Sequence, residues 1–125
     1  MKKMMGMLGA VVLGAVGGRL DHQLAVMGAL LHCTIADLRL VCPGQTVRLL
    51  RTGGEATIER VGITFSVIAP QEATVSISGA RWPLDHTRLG ALSSHGLSNE
   101  CTADTARVTV HSGCAFLIMN STGSD

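Results

Sequence analysis

Aromatic side chains are nearly absent from this chain: Trp82, Phe65 and Phe116 are the whole set, 2% of 125 residues, with no tyrosine. Any core must therefore be aliphatic. The shortage also argues against sugar-binding and single-stranded nucleic-acid platforms, which commonly stack ligands on rings. Lysine is as scarce, with Lys2 and Lys3 the only two. The 10 basic and 9 acidic residues leave a formal net charge of +1 and are scattered. No basic stripe exists to neutralise phosphates, so nucleic acid is not an expected partner.

Several catalytic signatures are missing as well. There is no C-x-x-C pair, and Gly90–Gly96 does not contain the G-x-S-x-G of a nucleophile elbow. Gly53-Gly54 is not followed by a phosphate-loop lysine and reads as a hairpin turn. The carboxylates Asp37, Glu55, Glu59, Glu72, Asp85, Glu100 and Asp104 are dispersed rather than paired.

What is present begins with Met1–Gly18, where two lysines precede an apolar run from Met4 to Val16. A basic start, a short apolar stretch and small residues at Ala15 and Gly17 form the layout of a cleaved export signal. The run is shorter than the about 20 residues that span a bilayer. If the segment is retained instead, Gly6, Ala10, Gly14 and Gly18 fall four apart and form a smooth stripe for helix packing. Met1–Gly6 followed by an apolar helix also resembles the leader of type IV pilin-like subunits. That family's acidic residue would fall at Val11, so nothing further is carried over from it.

Hydrophobic content of 46% rules out a disordered chain. Residues 19–33 read as a short helix, with Asp21 able to cap its start and Leu24, Met27, Leu30 and Leu31 on one side. From Thr34 the pattern turns to strands over Ile35–Cys42, Thr46–Arg51, Ala56–Ala69, Ala73–Ser78, Arg107–Ser112 and Cys114–Met119. Pro43-Gly44, Thr52-Gly53-Gly54 and Pro70-Gln71-Glu72 separate them as turns. The fold expected is mainly β: a small antiparallel sandwich or barrel over 34–120, preceded by apolar helical segments over 1–18 and 19–33 and followed by a polar tail at 121–125.

Four cysteines with an export signal predict two disulfides, with Cys33–Cys42 and Cys101–Cys114 the favoured pairing. Cys101, His111 and Cys114, with His95 or Cys33/Cys42 as a fourth group, are the one metal constellation, and disulfides are preferred over it, so no metal and no cofactor is expected. Asp85-His86 near Ser93 and Ser94 is the one hydrolase constellation, and exposed loops account for it more simply. Arg81, Trp82 and Arg88 stand out as a binding patch, because Trp and Arg are enriched at interface hot spots. These features predict an exported, non-enzymatic structural or binding subunit that meets a protein partner or another copy of itself. The alternative is a membrane-anchored or filament-type assembly subunit, with a small metal-dependent or serine hydrolase more distant.

Overall fold

The computed structural model describes residues 9–13, 20–35 and 37–120. The chain is mainly antiparallel β with one helix near its start. The elements in order are β1 (Gly9–Leu13), α1 (Leu20–His32), β2 (Asp37–Cys42), β3 (Gln45–Arg51), β4 (Glu55–Ile58), β5 (Thr64–Ile68), β6 (Ala73–Ser78), β7 (Leu84–Leu89), β8 (Asn99–Glu100) and β9 (Ala106–Asn120).

β9 organises the sheet. Its C-terminal half pairs with β3 on one side, Leu49 opposite Phe116, and with β5 on the other, Val67 opposite Leu117. Its N-terminal half pairs with β4, Ala56 opposite Val108, and with β6, Ile77 opposite Val108. Both sets of neighbours change over near Gly113, where the ladder with β6 shifts register between Thr74 and Val75. Gly113 has φ +83°, and a Cβ there would lie 2.2 Å from the Glu72 carbonyl oxygen. Only glycine fits that approach, and the bulge lies just before it at His111, between the pairs Thr74–Ser112 and Val75–Val110.

The sheet path runs β1-β2-β3-β9-β5-β8 and stays open. A barrel closure is therefore not formed among the described residues. Two faces are nonetheless covered. Side chains from both halves of the strand system, among them Phe65, Val67, Val75, Ile77, Val108, Val110 and Leu117, share the larger core. On the opposite side Leu38, Leu40, Val47, Leu49 and Phe116 meet Leu30, with Val26, Met27 and Leu31 packed against them. The helix stripe is thus 26-27-30-31, the period that places one face on the sheet.

α1 ends where Arg51 takes over its last carbonyls. The Arg51 Nη2 donates to the Cys33 carbonyl at 2.7 Å and to the Leu30 carbonyl at 3.4 Å. A cation at a helix C-terminus answers both the orphan carbonyls and the dipole. Replacing Arg51 with Met should lower stability by about 2 kcal/mol, read as a shift of the urea midpoint without change of slope.

Three expectations are corrected here. All four cysteines are free. Cys101 is fully buried in the larger core and donates weakly to the Ala103 and Ile58 carbonyls, whereas Cys33, Cys42 and Cys114 pack beside the helix. The Cys33 carbonyl is held at the Arg51 end of β3 and Cys42 pairs with Gln45 at the other end; at about 3.3 Å per residue that exceeds the Cα separation of about 7 Å that a bridge tolerates. Second, Gly9–Leu13 is a strand, not part of an apolar helix: it pairs parallel to β2, with Ala10 opposite Leu38. Gly6, Gly14 and Gly18 of the expected stripe lie outside the described residues, as does the polar tail. Third, no helix among the described residues is long and apolar enough to cross a membrane.

Candidate functional site

A cleft of about 330 Å³ opens between the β6–β7 connection and the segment leading into β8, lined by Trp82, His95, Gly96, Leu97, Ser98 and Asn99. Asn99 holds it together. It is the one polar residue buried among the described residues, 3% exposed. Its Oδ1 accepts from the Trp82 amide at 3.0 Å and from the Glu100 amide at 2.9 Å, while its Nδ2 donates to the Trp82 carbonyl at 2.8 Å. One side chain therefore does for the Trp82 backbone what a neighbouring strand would do.

The lining loop is held in an unusual course. Ser93 caps a short 3-10 turn over Ser94–Gly96 by accepting from the His95 amide. Gly96 passes so close to β5 that a Cβ would lie 2.4 Å from the Val67 carbonyl oxygen. Ser98 then adopts φ +58°, and its amide donates to Ser66 Oγ at 2.9 Å. A non-glycine residue in the left-handed region marks local strain, and strain of this kind collects at ligand sites. Trp82, 52% exposed, presents indole surface to the cleft's mouth. The Arg81 guanidinium lies 4.8 Å from the ring centroid and 3.9 Å from Glu100. Chemically the cleft offers an aromatic plane, a serine hydroxyl, an imidazole and a nearby carboxylate. That set suits a flat, polar small molecule.

Of the expected binding residues, Trp82 lines this cleft and Arg81 lies beside it against the indole ring. Arg88 does not: it lies on β7 and is ion-paired to Glu72. Ser98 and Asn99 were not expected, and His95, expected as a possible fourth metal group, lines the cleft instead. The signal for them was the polar, glycine-punctuated run after Leu92, whose serines and asparagine read as solvated loop.

The hydrolase constellation is not assembled. Ser93 serves the 3-10 turn, and His86 instead stacks on His111, ring centroids 3.8 Å apart. Ser76 Oγ lies 2.7 Å from His111 Nε2, but the carboxylate of Asp85 contacts His86 Nδ1. An acyl-transfer triad needs the acid behind the imidazole that faces the serine. Cys101, His111 and Cys114 are likewise distributed over the core, this histidine pair and the helix side. Among the described residues no three His, Cys, Asp or Glu side chains are placed to hold a metal ion.

Comparison with known proteins bears on the same region. Residues 55–115 match the family model of the thiamin pyrophosphokinase vitamin B1 binding domain. The fold is similar to thiamine pyrophosphokinase from Bacillus subtilis, with a TM-score of 0.80 and 21% identity over 92% of this chain and 56% of that one. Thiamin pyrophosphokinase from Geobacillus thermodenitrificans gives 0.76 and 20% over 98% and 58%, and the yeast enzyme 0.73 and 16% over 91% and 40%. The chain spans about half the length of these solved structures. No curated protein sequence matches it. These findings overturn the expectations of a non-enzymatic structural subunit, of a membrane or filament-type assembly subunit, and of a secreted or extracytoplasmic location: the chain has the fold of an enzyme family, and its residues 55–115 match that family's vitamin-binding domain.

Proposed function

We propose that this chain carries the vitamin-holding part of a thiamin pyrophosphokinase, with the Trp82–Asn99 cleft as its thiamin site. The match of residues 55–115 to the vitamin B1 binding domain supports this reading, and Trp82, Ser98 and Asn99 all lie within that span. Thiamin is a flat aminopyrimidine joined to a thiazolium cation with a primary hydroxyl. Trp82 provides a ring face for its planar or cationic part, since an indole attracts cations most strongly among side chains. The Ser98 hydroxyl and His95 imidazole provide hydrogen bonds for the ring nitrogens and the amino group. Glu100, which lies beside Arg81, adds negative charge for the thiazolium.

In diphosphoryl transfer the task of such a site is positional. It must hold the vitamin so that its hydroxyl faces the donor, which reduces the barrier by orientation rather than by acid–base work. The parallel β1–α1–β2 unit supports a donor side nearby, because ligands of parallel α/β units collect beyond the carboxyl ends of their strands. Residues 34–120 then form the vitamin-holding unit, its sheet bent at Gly113 into a sandwich-like body. Leu20 and Leu24, exposed one turn apart on α1, support self-association as the accompanying partner reading.

Calorimetric titration with thiamin tests the site. Trp82→Ala and Ser98→Ala should each weaken binding about tenfold, the loss of roughly one hydrogen bond or ring contact. Because Trp82 is half exposed, its variant should melt within a few degrees of the parent. Unchanged affinity in both variants would remove the cleft from the binding site.

A further inference from the structure

A second cleft lies where β3 turns into β4, lined by Asp37, Arg48, Leu49, Leu50, Arg51, Thr52, Gly53 and Gly54. It shares no lining residue with the Trp82 cleft. Its polar groups are mostly committed. Arg51 serves the end of α1, the Thr52 hydroxyl donates to the Gly113 carbonyl, and the Gly53 and Gly54 amides donate to Val110 and Arg51 carbonyls. Arg48 is the exception. Its Nε is buried and has no hydrogen-bond partner among the described residues.

The charge around Arg48 is also unbalanced. Arg39 stands directly opposite it across the β2–β3 pair. Like charges in that position repel, a cost that sheets ordinarily avoid. One carboxylate serves both: Asp37 lies 3.5 Å from the Arg48 Nη2 and 3.4 Å from Arg39. Burial, with Arg39 opposite, holds the Arg48 guanidinium below its ordinary pKa despite Asp37. Two fork-shaped donors thus meet here, Arg48 lining the cleft and Arg39 beside it, with a single shared anion and an orphaned N–H. A buried orphan donor costs free energy unless something fills it.

We propose that Arg48 and Arg39 form an oxyanion site for a phosphate group, with Arg48 Nε and Nη2 as its inner fork. Guanidinium forks match phosphate oxygens two at a time, and a dianion offsets both cations where Asp37 offsets one. Asp37 is then a competitor for the site as well as its counter-ion. This assignment does not rest on the thiamin reading.

The test is a titration of the full chain with inorganic phosphate at constant ionic strength, following arginine Nε–H resonances by NMR. The Arg48 signal should move saturably, while sodium chloride at matched strength leaves it in place. Arg39→Gln should weaken phosphate about tenfold with an unchanged fold, the loss of one charge-assisted contact. Asp37→Asn should act in the opposite direction and tighten it about tenfold, because the competing anion is gone. If Asp37→Asn weakens phosphate as Arg39→Gln does, Asp37 is a structural brace and the proposal fails. A chloride response equal to that of phosphate would mean screening only and overturn it. Repeating the titration with glycerol 3-phosphate separates free phosphate from a phosphate monoester: a response to either supports the assignment. Concentration-dependent dimerisation that saturates the Arg48 signal without phosphate would identify the anion as a carboxylate of a second copy, which also overturns it.

Discussion

Asn99→Ala should cost about 4 kcal/mol of stability and abolish thiamin binding together. The change strands the Trp82 amide, the Trp82 carbonyl and the Glu100 amide at once. Each such group left unpaired where water is excluded costs about 1–3 kcal/mol, and the corner retains partial access to solvent. Asn99→Asp separates the two consequences. It keeps both acceptor bonds but sets a carboxylate oxygen against the Trp82 carbonyl and buries charge. Stability should fall again, with Trp82 displaced from the cleft. Chemical denaturation gives the first quantity and calorimetric titration the second. An Asn99→Ala protein as stable as the parent would mean that the Trp82 corner is held by something else.

Gly113→Ala should be comparably damaging, by about 4 kcal/mol. Two effects add: a left-handed residue costs roughly 1–2 kcal/mol outside glycine, and crowding a packed site costs about 1–3 kcal/mol. The new Cβ would meet the Glu72 carbonyl oxygen at 2.2 Å and Ala73 Cα at 3.0 Å. Gly44→Ala is the control. Gly44 has φ +79° but nothing within 4 Å of an added Cβ, so only the backbone cost of about 1 kcal/mol remains. The gap between the two variants measures how tightly β9 is pinned at its bend. Equal losses would show that the close approach to Glu72 relaxes freely.

The contrast between these two glycines also shows what a sequence reveals and what it does not. Gly44 follows Pro43 between alternating strands, and its turn is legible from those neighbours. Gly113, following Ser112, reads as a break between two strands, Arg107–Ser112 and Cys114–Met119. In the structure it lies inside one 15-residue strand, two residues after the bulge at His111, because pairing on both sides carries β9 through the interruption. β6 was legible from alternation and β5 only in part: Phe65, Val67, Val75 and Ile77 are buried, but the single strand expected over Ala56–Ala69 is two, β4 and β5, with Val61 exposed between them. β7 was not. Its Asp85-His86-Thr87-Arg88 centre is polar on both faces, as an edge strand tolerates, and nothing in that pattern separates it from a loop.

The N-terminal segment misled for a related reason. A short parallel strand and the apolar stretch of an export signal draw on the same residues, and periodicity does not separate them over five positions. Pairing between Gly9–Leu13 and Asp37–Leu40-Val41 is a long-range fact with no local trace. The cysteine count failed likewise, since an even number constrains nothing about proximity. At the cleft, Trp82 stands out in the sequence because it is the sole tryptophan, and Arg81 because it adjoins it. Asn99 was missed because its importance lies in burial, and a buried asparagine in a serine-rich run looks like any other. Arg88 is close to Trp82 in sequence, yet β7 delivers it to Glu72.

Trp82 is the sole tryptophan, so indole emission from the unmodified chain reports on the proposed thiamin cleft alone. Titrating thiamin into the protein while following that emission is the most direct measurement of the central claim. The expected result is a saturable change in intensity whose midpoint lies about tenfold higher in Ser98→Ala, with inorganic phosphate producing none. A linear, non-saturating response, identical in the parent and in Ser98→Ala, would contradict it.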